Sequence, residues 1–268
     1  MNIQTFYLDN PIVMKRAIDV FEPEGDPRKT ALFYVHGGGW HSGARDQFHY
    51  HLEHFSKMGY WTASAGYRLV PHVQWRDQLQ DVMEGYDCFL RLLEKRVARI
   101  ERIVVLGSSA GAHLASLLAM MSPEQLGDRL VRLTGAWRAP DAVVSINGPG
   151  SMERWPDMNE TIRDSIEKLV GRRYDDETAA EEFASTSPDL YVRDGAPDFL
   201  FQIVEREKYF PHELVYRMSE KIVAHGSKSH VILYEGAEHG FFYSLTSPLQ
   251  QKALADLERY LQSVDAGE

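Results

Sequence analysis

The sequence predicts an α/β fold with a mostly parallel central sheet and helices on both of its faces. Two observations lead to this prediction. Short apolar runs alternate with longer helical segments along the 268-residue chain, which is typical of parallel strands joined by crossover helices. The central apolar runs, such as Ile103 to Leu106, are continuous rather than alternating, as expected for strands that are covered on both faces.

Each predicted element follows from its local pattern. Apolar runs bounded by turn residues predict strands at Ile12 to Val20, Thr30 to Val35, Trp61 to Gly66, Arg102 to Leu106, Ala142 to Ile146, Asp198 to Val204 and His230 to Tyr234. Helical patterns predict helices at Gln47 to Met58, Asp77 to Val97, Ala110 to Met121, Asn159 to Val170, His212 to His225 and Pro248 to Ser263.

The domain organisation follows from what interrupts this rhythm. No repeat, low-complexity tract or linker divides the chain, so we predict one domain over residues 1–268. The one long stretch outside the alternation is Gly148 to Tyr191, which is polar and helical in character. We interpret it as a small lid insertion that covers the active site.

Composition excludes several classes of function. The net charge of −10 and the lack of a basic stripe argue against a nucleic-acid partner. The single cysteine, Cys88, excludes an internal disulfide and indicates a reducing compartment. Residues Met1 to Asn10 lack the features of a signal peptide, and no apolar run reaches the ~18 residues that span a bilayer. We therefore expect a cytoplasmic protein without a membrane partner; a homodimer is compatible with the sequence.

A G-x-S-x-G pentapeptide, Gly107-Ser108-Ser109-Ala110-Gly111, lies between a predicted strand and a predicted helix. This context makes the pentapeptide a nucleophile elbow, in which the serine is held in a strained and exposed position. A second motif, His36-Gly37-Gly38-Gly39-Trp40, also follows a strand. Its glycines allow backbone N–H groups to approach a substrate oxygen. Together, in this order, the two motifs predict an acyl-transfer hydrolase.

These motifs, with Tyr67-Arg68-Leu69-Val70-Pro71, make the chain resemble the α/β-hydrolase family over nearly its whole length. The resemblance is greatest to small carboxylesterases and to the kynurenine formamidase-like branch. It implies a mostly parallel eight-stranded sheet and a Ser–acid–His triad in that chain order. The chain departs from the family at Ser108, where His or Asp is frequent. Only a short segment precedes His36, which favours an open or lightly covered pocket.

The predicted nucleophile is Ser109, which needs an adjacent base. His239 supplies it, because it follows the last predicted strand, precedes Gly240 and occupies the position of the family's catalytic histidine. The acid that orients the imidazole should lie just beyond Asp198 to Val204. Counting back from Pro211 places Glu207 at the acid position, and Glu205 is the alternative because the family's usual glycine is replaced here.

Backbone amides of Gly38, Gly39 and Ala110 are predicted to form the oxyanion hole, helped by the positive end of the helix that Ala110 opens. Trp40 and Trp155 are the predicted substrate-binding side chains. His113, one turn after Ser109, is expected to pack beneath the site. We predict no cofactor and no metal, since the histidines at 49, 51 and 54 point to different faces of a helix.

The resulting expectation is a serine hydrolase that cleaves small carboxylic esters through an acyl-enzyme, with a small-molecule ester or amide as its only substrate partner. Two other reactions stay open: hydrolysis of an aryl formamide, and hydrolysis of an acetylated or feruloylated carbohydrate. A non-catalytic ligand-binding protein on the same fold is a different class of hypothesis. It is disfavoured because Ser109 and His239 are both present.

Overall fold

One sheet of eight strands organises the computed structural model, which describes residues 3–96, 99–127 and 131–267. The strands are β1 (Ile3–Tyr7), β2 (Ala17–Phe21), β3 (Thr30–Val35), β4 (Trp61–Ala65), β5 (Arg102–Ser108), β6 (Ala142–Ile146), β7 (Asp198–Arg206) and β8 (Ser229–Glu238). They lie in the order β1-β2-β4-β3-β5-β6-β7-β8. The pairs that involve β1 and β2 are antiparallel, and the pairs from β4 to β8 are parallel.

Helices cover both faces of this sheet. They are α1 (His49–Lys57), α2 (Trp75–Arg96), α3 (Ala110–Met120), α4 (Glu160–Val170), α5 (Ala180–Ser185), α6 (His212–Ala224) and α7 (Pro248–Ala266). Apolar residues of α2, α3 and α6 pack in one core, and those of α1 and α7 pack in a second core on the opposite face. The strands between them are buried on both sides, which explains their continuous apolar sequences.

Most predicted elements are confirmed within a few residues, and the strands at 30–35 and 142–146 have the predicted bounds. The helix predicted from Asp77 to Val97 is α2, although Val97 lies outside the described residues. No helix of the described part of the chain is long and apolar enough to cross a membrane.

The N-terminal hairpin differs from the prediction. The strand expected from Ile12 begins only at Ala17, and β1 was not predicted. Because Tyr7 pairs with Ala17, residues 8–16 form the connection between two antiparallel strands. Ile12 and Met14 are 58% and 63% exposed in that loop. Apolar character alone therefore misplaced the strand, and an edge strand that buries little surface leaves a weak pattern.

The segment from 148 to 191 contains α4, α5 and short 3₁₀ turns. Its apolar residues Ile162, Ile166, Leu169 and Phe183 join the core that contains α2 and α3. The segment is thus packed against the body of the fold along its apolar side, and α4 lies at the edge of the sheet where the parallel strands end.

That carboxyl edge gathers the residues of both motifs. His36 follows β3, Ser109 follows β5, and Glu207 and His239 follow β7 and β8. Because parallel strands end at the same edge of a sheet, residues far apart in sequence meet there. The fold thereby assembles the candidate site from several separate loops.

Candidate active site

Ser109 occupies the sharp turn between β5 and α3. Its backbone has φ +53° and ψ −120°, a conformation that side chains other than glycine rarely adopt. Two hydrogen bonds hold the turn: the Ser109 amide donates to the Ile146 carbonyl at 2.8 Å, and the Ser109 carbonyl accepts from the His113 amide at 3.1 Å. The hydroxyl is therefore presented by a fixed backbone rather than by a mobile loop.

The two glycines of the pentapeptide are required by close backbone approach. A Cβ atom at Gly107 would collide with the carbonyl oxygen of Gly111, and a Cβ atom at Gly111 would collide with that of Val35. The elbow can pack this tightly against β3 only because neither position carries a side chain.

His239 reaches the serine from the loop after β8. Its Nε2 atom lies 2.8 Å from Ser109 Oγ. Gly240 follows with φ +82°, which lets the chain turn at once into the short 3₁₀ turn Phe241–Tyr243. This geometry places a base within hydrogen-bond distance of the hydroxyl, as nucleophile activation requires.

Glu207 lies on the other side of the imidazole. Its Oε2 and Oε1 atoms are 2.8 Å and 3.0 Å from His239 Nδ1. Oε1 also accepts hydrogen bonds from the backbone amides of Lys208 and Tyr209, each at 2.9 Å. Burial acts to raise the pKa of the Glu207 carboxyl, but the His239 contact and these amides hold that pKa below its ordinary value.

The ionised carboxylate fixes the histidine tautomer. A carboxylate only accepts, so Nδ1 of His239 carries the proton and Nε2 presents its lone pair to Ser109. Glu205, the alternative acid, instead accepts a hydrogen bond from the Gly236 amide at 2.8 Å and braces β8. The structure therefore brings Glu207, and not Glu205, against the imidazole.

The glycine-rich loop after β3 faces the same serine. Gly38 and Gly39 have φ +120° and +57°, so the loop turns where a side chain would strain it. The Gly37 amide donates to Gln47 Oε1 at 2.7 Å, and the Gly38 carbonyl accepts from the Ser42 amide at 3.0 Å. These bonds leave the Gly38 and Gly39 backbone at the wall of the cavity that contains Ser109.

The cavity has a volume of about 210 Å³. Besides Gly38, Gly39, Ser109 and His239, its lining consists of His41, Thr161, Ile162, Ser165, Tyr209 and Tyr243. Sequence reasoning did not name these last six residues. Tyr209 and Tyr243 follow Glu207 and His239 closely in the chain, so proximity was an available signal. The residues of α4 meet the cavity only through the fold of the insertion.

The two predicted tryptophans do not line the cavity that contains Ser109. Trp40 is fully buried, and its backbone has a φ of +64°. Trp155 borders a different cavity, with Met158 and Arg163. The Phe210 ring is next to both Trp155 and His239: its centroid lies 6.5 Å from that of Trp155 and 6.0 Å from that of His239.

The three histidines near α1 have separate environments. His49 lies 3.2 Å from Asp19, and His54 lies 2.6 Å from Glu258. His51 is buried between Phe48 and Phe242. Among the described residues no group of three or more His, Cys, Asp or Glu side chains is arranged to hold a metal ion.

Comparison with known proteins places the chain in a family. The family described as BD-FAE matches residues 18–222. The chain belongs to the BD-FAE family. This BD-FAE member is 31% identical over 248 residues to Esterase LipC of Mycobacterium tuberculosis. The aligned region covers 89% of this chain and 59% of LipC. The chain thus spans about three-fifths of the length of that relative. Arylacetamide deacetylase of Oryctolagus cuniculus is 36% identical over 96 residues, and this aligned region covers 34% of this chain and 24% of the deacetylase.

Solved structures confirm the α/β-hydrolase fold of this BD-FAE protein. Esterase B from Lactobacillus rhamnosis superimposes with a TM-score of 0.81 at 18% identity, over 99% of this chain and 86% of the esterase. The propionate-bound esterase Est2 of Thermogutta terrifontis gives a TM-score of 0.73 at 21% identity, over 92% and 89% of the two chains. At these identities the likeness concerns the fold.

Proposed function

We propose that this protein is a serine hydrolase that cleaves small carboxylic esters through an acyl-enzyme. The observation that carries the proposal is the continuous hydrogen-bonded chain from Ser109 through His239 to Glu207, which opens into a cavity beside Gly38 and Gly39. Nucleophile, base and orienting acid have the mutual distances that acyl transfer requires. Family membership and the esterase activity named for LipC support the same reaction.

In the proposed first step, Ser109 Oγ attacks the ester carbonyl carbon while His239 Nε2 takes the hydroxyl proton. The carbonyl oxygen becomes an oxyanion that accepts hydrogen bonds from the Gly38, Gly39 and Ala110 amides. As the tetrahedral intermediate collapses, the C–O bond breaks and His239 returns the proton to the leaving alkoxide. Glu207 stabilises the imidazolium throughout and stays ionised.

In the second step, a water molecule gives a proton to His239 and attacks the acyl-enzyme. The acyl–Oγ bond then breaks, Ser109 recovers its proton from His239, and the carboxylic acid leaves. Atoms and charges balance with the residues named, and no cofactor takes part in the proposed reaction.

The proposed substrate is a small ester. A cavity of about 210 Å³ is smaller than the roughly 300–1,000 Å³ that accommodates drug-sized ligands. Est2 has been crystallised with propionate and with butyrate bound, and a short acyl group of this kind fits such a cavity. We also propose a cytoplasmic location, which the single cysteine supports.

Turnover on a defined panel tests the proposal. The panel contains p-nitrophenyl esters from acetyl to dodecanoyl, an aryl formamide and an acetylated and a feruloylated sugar. Wild-type protein should hydrolyse the short esters, and Ser109→Ala should abolish this activity while its circular dichroism spectrum stays that of wild type. A fluorophosphonate should add to Ser109, as located by peptide mass spectrometry.

Three results would overturn the proposal or change it. Ser109→Ala activity within tenfold of wild type would remove the nucleophile. Turnover of the formamide or a sugar ester well above every simple ester would replace the substrate class. Binding of panel compounds without turnover or labelling would make the protein a ligand-binding relative.

A further inference from the structure

Trp40 ends a run of three residues with positive φ, at +120° for Gly38, +57° for Gly39 and +64° for Trp40. Glycine adopts such angles freely, whereas a tryptophan there is strained and must be held by its surroundings. The Trp40 carbonyl accepts hydrogen bonds from Gln78 Nε2 at 2.8 Å and from the Val70 amide at 3.1 Å. The indole ring is fully buried.

The indole makes one directed polar contact inside this core. Trp40 Nε1 donates to His113 Nδ1 at 3.2 Å, and the two rings meet edge to face with centroids 5.5 Å apart. His113 lies on α3 one turn after Ser109, whose carbonyl accepts from the His113 amide. The contact therefore joins the residue next to Gly39 to the helix that begins at the nucleophile.

His113 also reaches the insertion. Its Nε2 atom lies 2.7 Å from the Thr186 carbonyl oxygen, which only accepts, so Nε2 carries the proton and Nδ1 is free to accept from the indole. Burial lowers the pKa of His113 to about 4, which keeps the ring neutral and this tautomer in place. One imidazole thus links the glycine-rich loop, the elbow helix and the insertion.

We propose that Trp40 and His113 are positioning residues, and that their hydrogen bond holds the Gly38 and Gly39 amides in line with Ser109. The inference rests on the proposed hydrolase function and assigns Trp40 a role other than that of a substrate wall. Amides aimed at the transition-state oxygen must be placed closely, because small displacements lose much of their effect. Loosening the indole therefore lowers the rate of the chemical step rather than substrate binding.

Isosteric variants separate the two contacts of His113. Trp40→Phe keeps a ring but removes the indole donor. His113→Asn keeps an acceptor near Nδ1, and His113→Gln keeps a donor near Nε2. The matched control is Trp61→Phe, because Trp61 is a buried tryptophan whose indole N–H has no partner among the described residues. The first measurement is kcat and KM with p-nitrophenyl acetate.

We expect Trp40→Phe and His113→Gln each to lower kcat about tenfold at nearly constant KM, as expected for a contact that acts on the transition state. His113→Asn should keep kcat within about threefold, and Trp61→Phe should match wild type. The double variant Trp40→Phe/His113→Gln should be no slower than either single variant, because both remove the same hydrogen bond.

A second measurement is independent of turnover. In ¹⁵N,¹³C-labelled wild-type protein the Trp40 indole N–H signal, assigned by triple-resonance NMR, should exchange slowly with solvent. His113→Gln should speed up its exchange or shift the signal, and His113→Asn should not. This measurement also covers the case in which Trp40→Phe fails to fold.

Several results would overturn the inference. They are unchanged kcat in Trp40→Phe, a rise in KM alone, equal losses in His113→Asn and His113→Gln, or an indole signal that is indifferent to both. If wild-type protein hydrolyses no ester of the panel, the proposed function fails first. The indole signal then still decides whether His113 anchors the loop.

Discussion

Glu207 and His239 form a two-oxygen contact across the ends of neighbouring strands: both carboxylate oxygens lie within 3.0 Å of the imidazole Nδ1 atom. Glu205, two positions earlier, points instead to the Gly236 amide. The parallel pairing of β7 and β8 shifts register between Val204 and Arg206. That irregularity lies at the point where the chain turns one glutamate toward the histidine and the other toward the strand.

The contact predicts different consequences for the two glutamates. Glu207→Gln replaces an ionised acceptor by an amide that can hold the wrong histidine tautomer, a change that costs about 10⁴ in turnover in a serine protease. We expect a loss of that order in kcat for Glu207→Gln and less than about threefold for Glu205→Gln, measured with p-nitrophenyl acetate. The opposite ranking would assign the acid role to Glu205.

The cavity wall predicts which residue limits acyl length. Wild-type protein should be most active on esters whose acyl groups range from acetyl through butyryl. Activity should fall steeply beyond roughly eight carbons, because overpacking ends the gain in binding free energy of about 0.8 kcal/mol per methylene. Ile162 lines the cavity, so Ile162→Ala should raise kcat/KM for a hexanoyl ester about tenfold.

Trp155→Ala is the matched control for this measurement, because Trp155 borders another cavity. Its chain-length profile should resemble that of wild type. A broader profile in Trp155→Ala together with an unchanged one in Ile162→Ala would mean that the acyl group leaves the described cavity on the Trp155 side.

His51 predicts a loss of stability at acidic pH. Its ring stacks on Phe48 with centroids 3.7 Å apart, and neither ring nitrogen has a partner among the described residues. Burial lowers its pKa from 6.5 to about 3. Below pH 6.5 His51 is therefore protonated in the unfolded chain but stays neutral in the folded protein. Its contribution to the free energy of unfolding is complete well above that pH and is lost as the pH decreases.

Urea unfolding measures this contribution. Between pH 8 and pH 5 the His51 share of the decrease is about 2 kcal/mol in the free energy of unfolding. His51→Phe should reduce the wild-type decrease by that amount. His36 and His113, whose burial lowers each pKa to about 4, should account for part of the remainder. Equal decreases in wild type and variant would contradict the assignment.

A buried charge cluster around Arg16 predicts a large effect of one substitution on stability. Asp81 is fully buried and contacts the Arg16 guanidinium, which is 5% exposed, and it also accepts from Arg68 Nε at 2.8 Å. Asp81→Asn removes one of three carboxylates that contact the buried Arg16 guanidinium, the other two being Asp9 and Glu84. The loss of this charged hydrogen-bond acceptor should cost about 2 kcal/mol.

The matched control is Asp164→Asn, because Asp164 pairs with Lys168 on the exposed side of α4. Breaking such a surface pair should change the free energy of unfolding by less than about 1 kcal/mol. Both values come from urea unfolding at neutral pH with an unchanged m-value. Similar losses in the two variants would mean that Asp81 is not a stabilising partner of Arg16.

What the sequence by itself determined is local in origin. The alternation of apolar runs and helical segments predicted the α/β sheet, because burial on both faces imposes continuous apolar strands. Ser109 was predicted because it lies in a glycine-flanked turn after a strand, and His239 because it follows the last strand. A residue that directly follows a parallel strand lies at the carboxyl edge of the sheet. These signals need only neighbouring residues.

Tertiary structure alone decided the rest, because it depends on contacts between distant residues. Trp40 lies in the core, where its indole contacts His113, 73 positions away. Thr161 and Ile162 meet the cavity only because α4 folds back over the carboxyl edge. Glu207 contacts His239 while Glu205 contacts the Gly236 amide, next to a register shift between β7 and β8. A one-dimensional pattern sets which residues are apolar or charged, whereas three-dimensional packing sets which of them face one another.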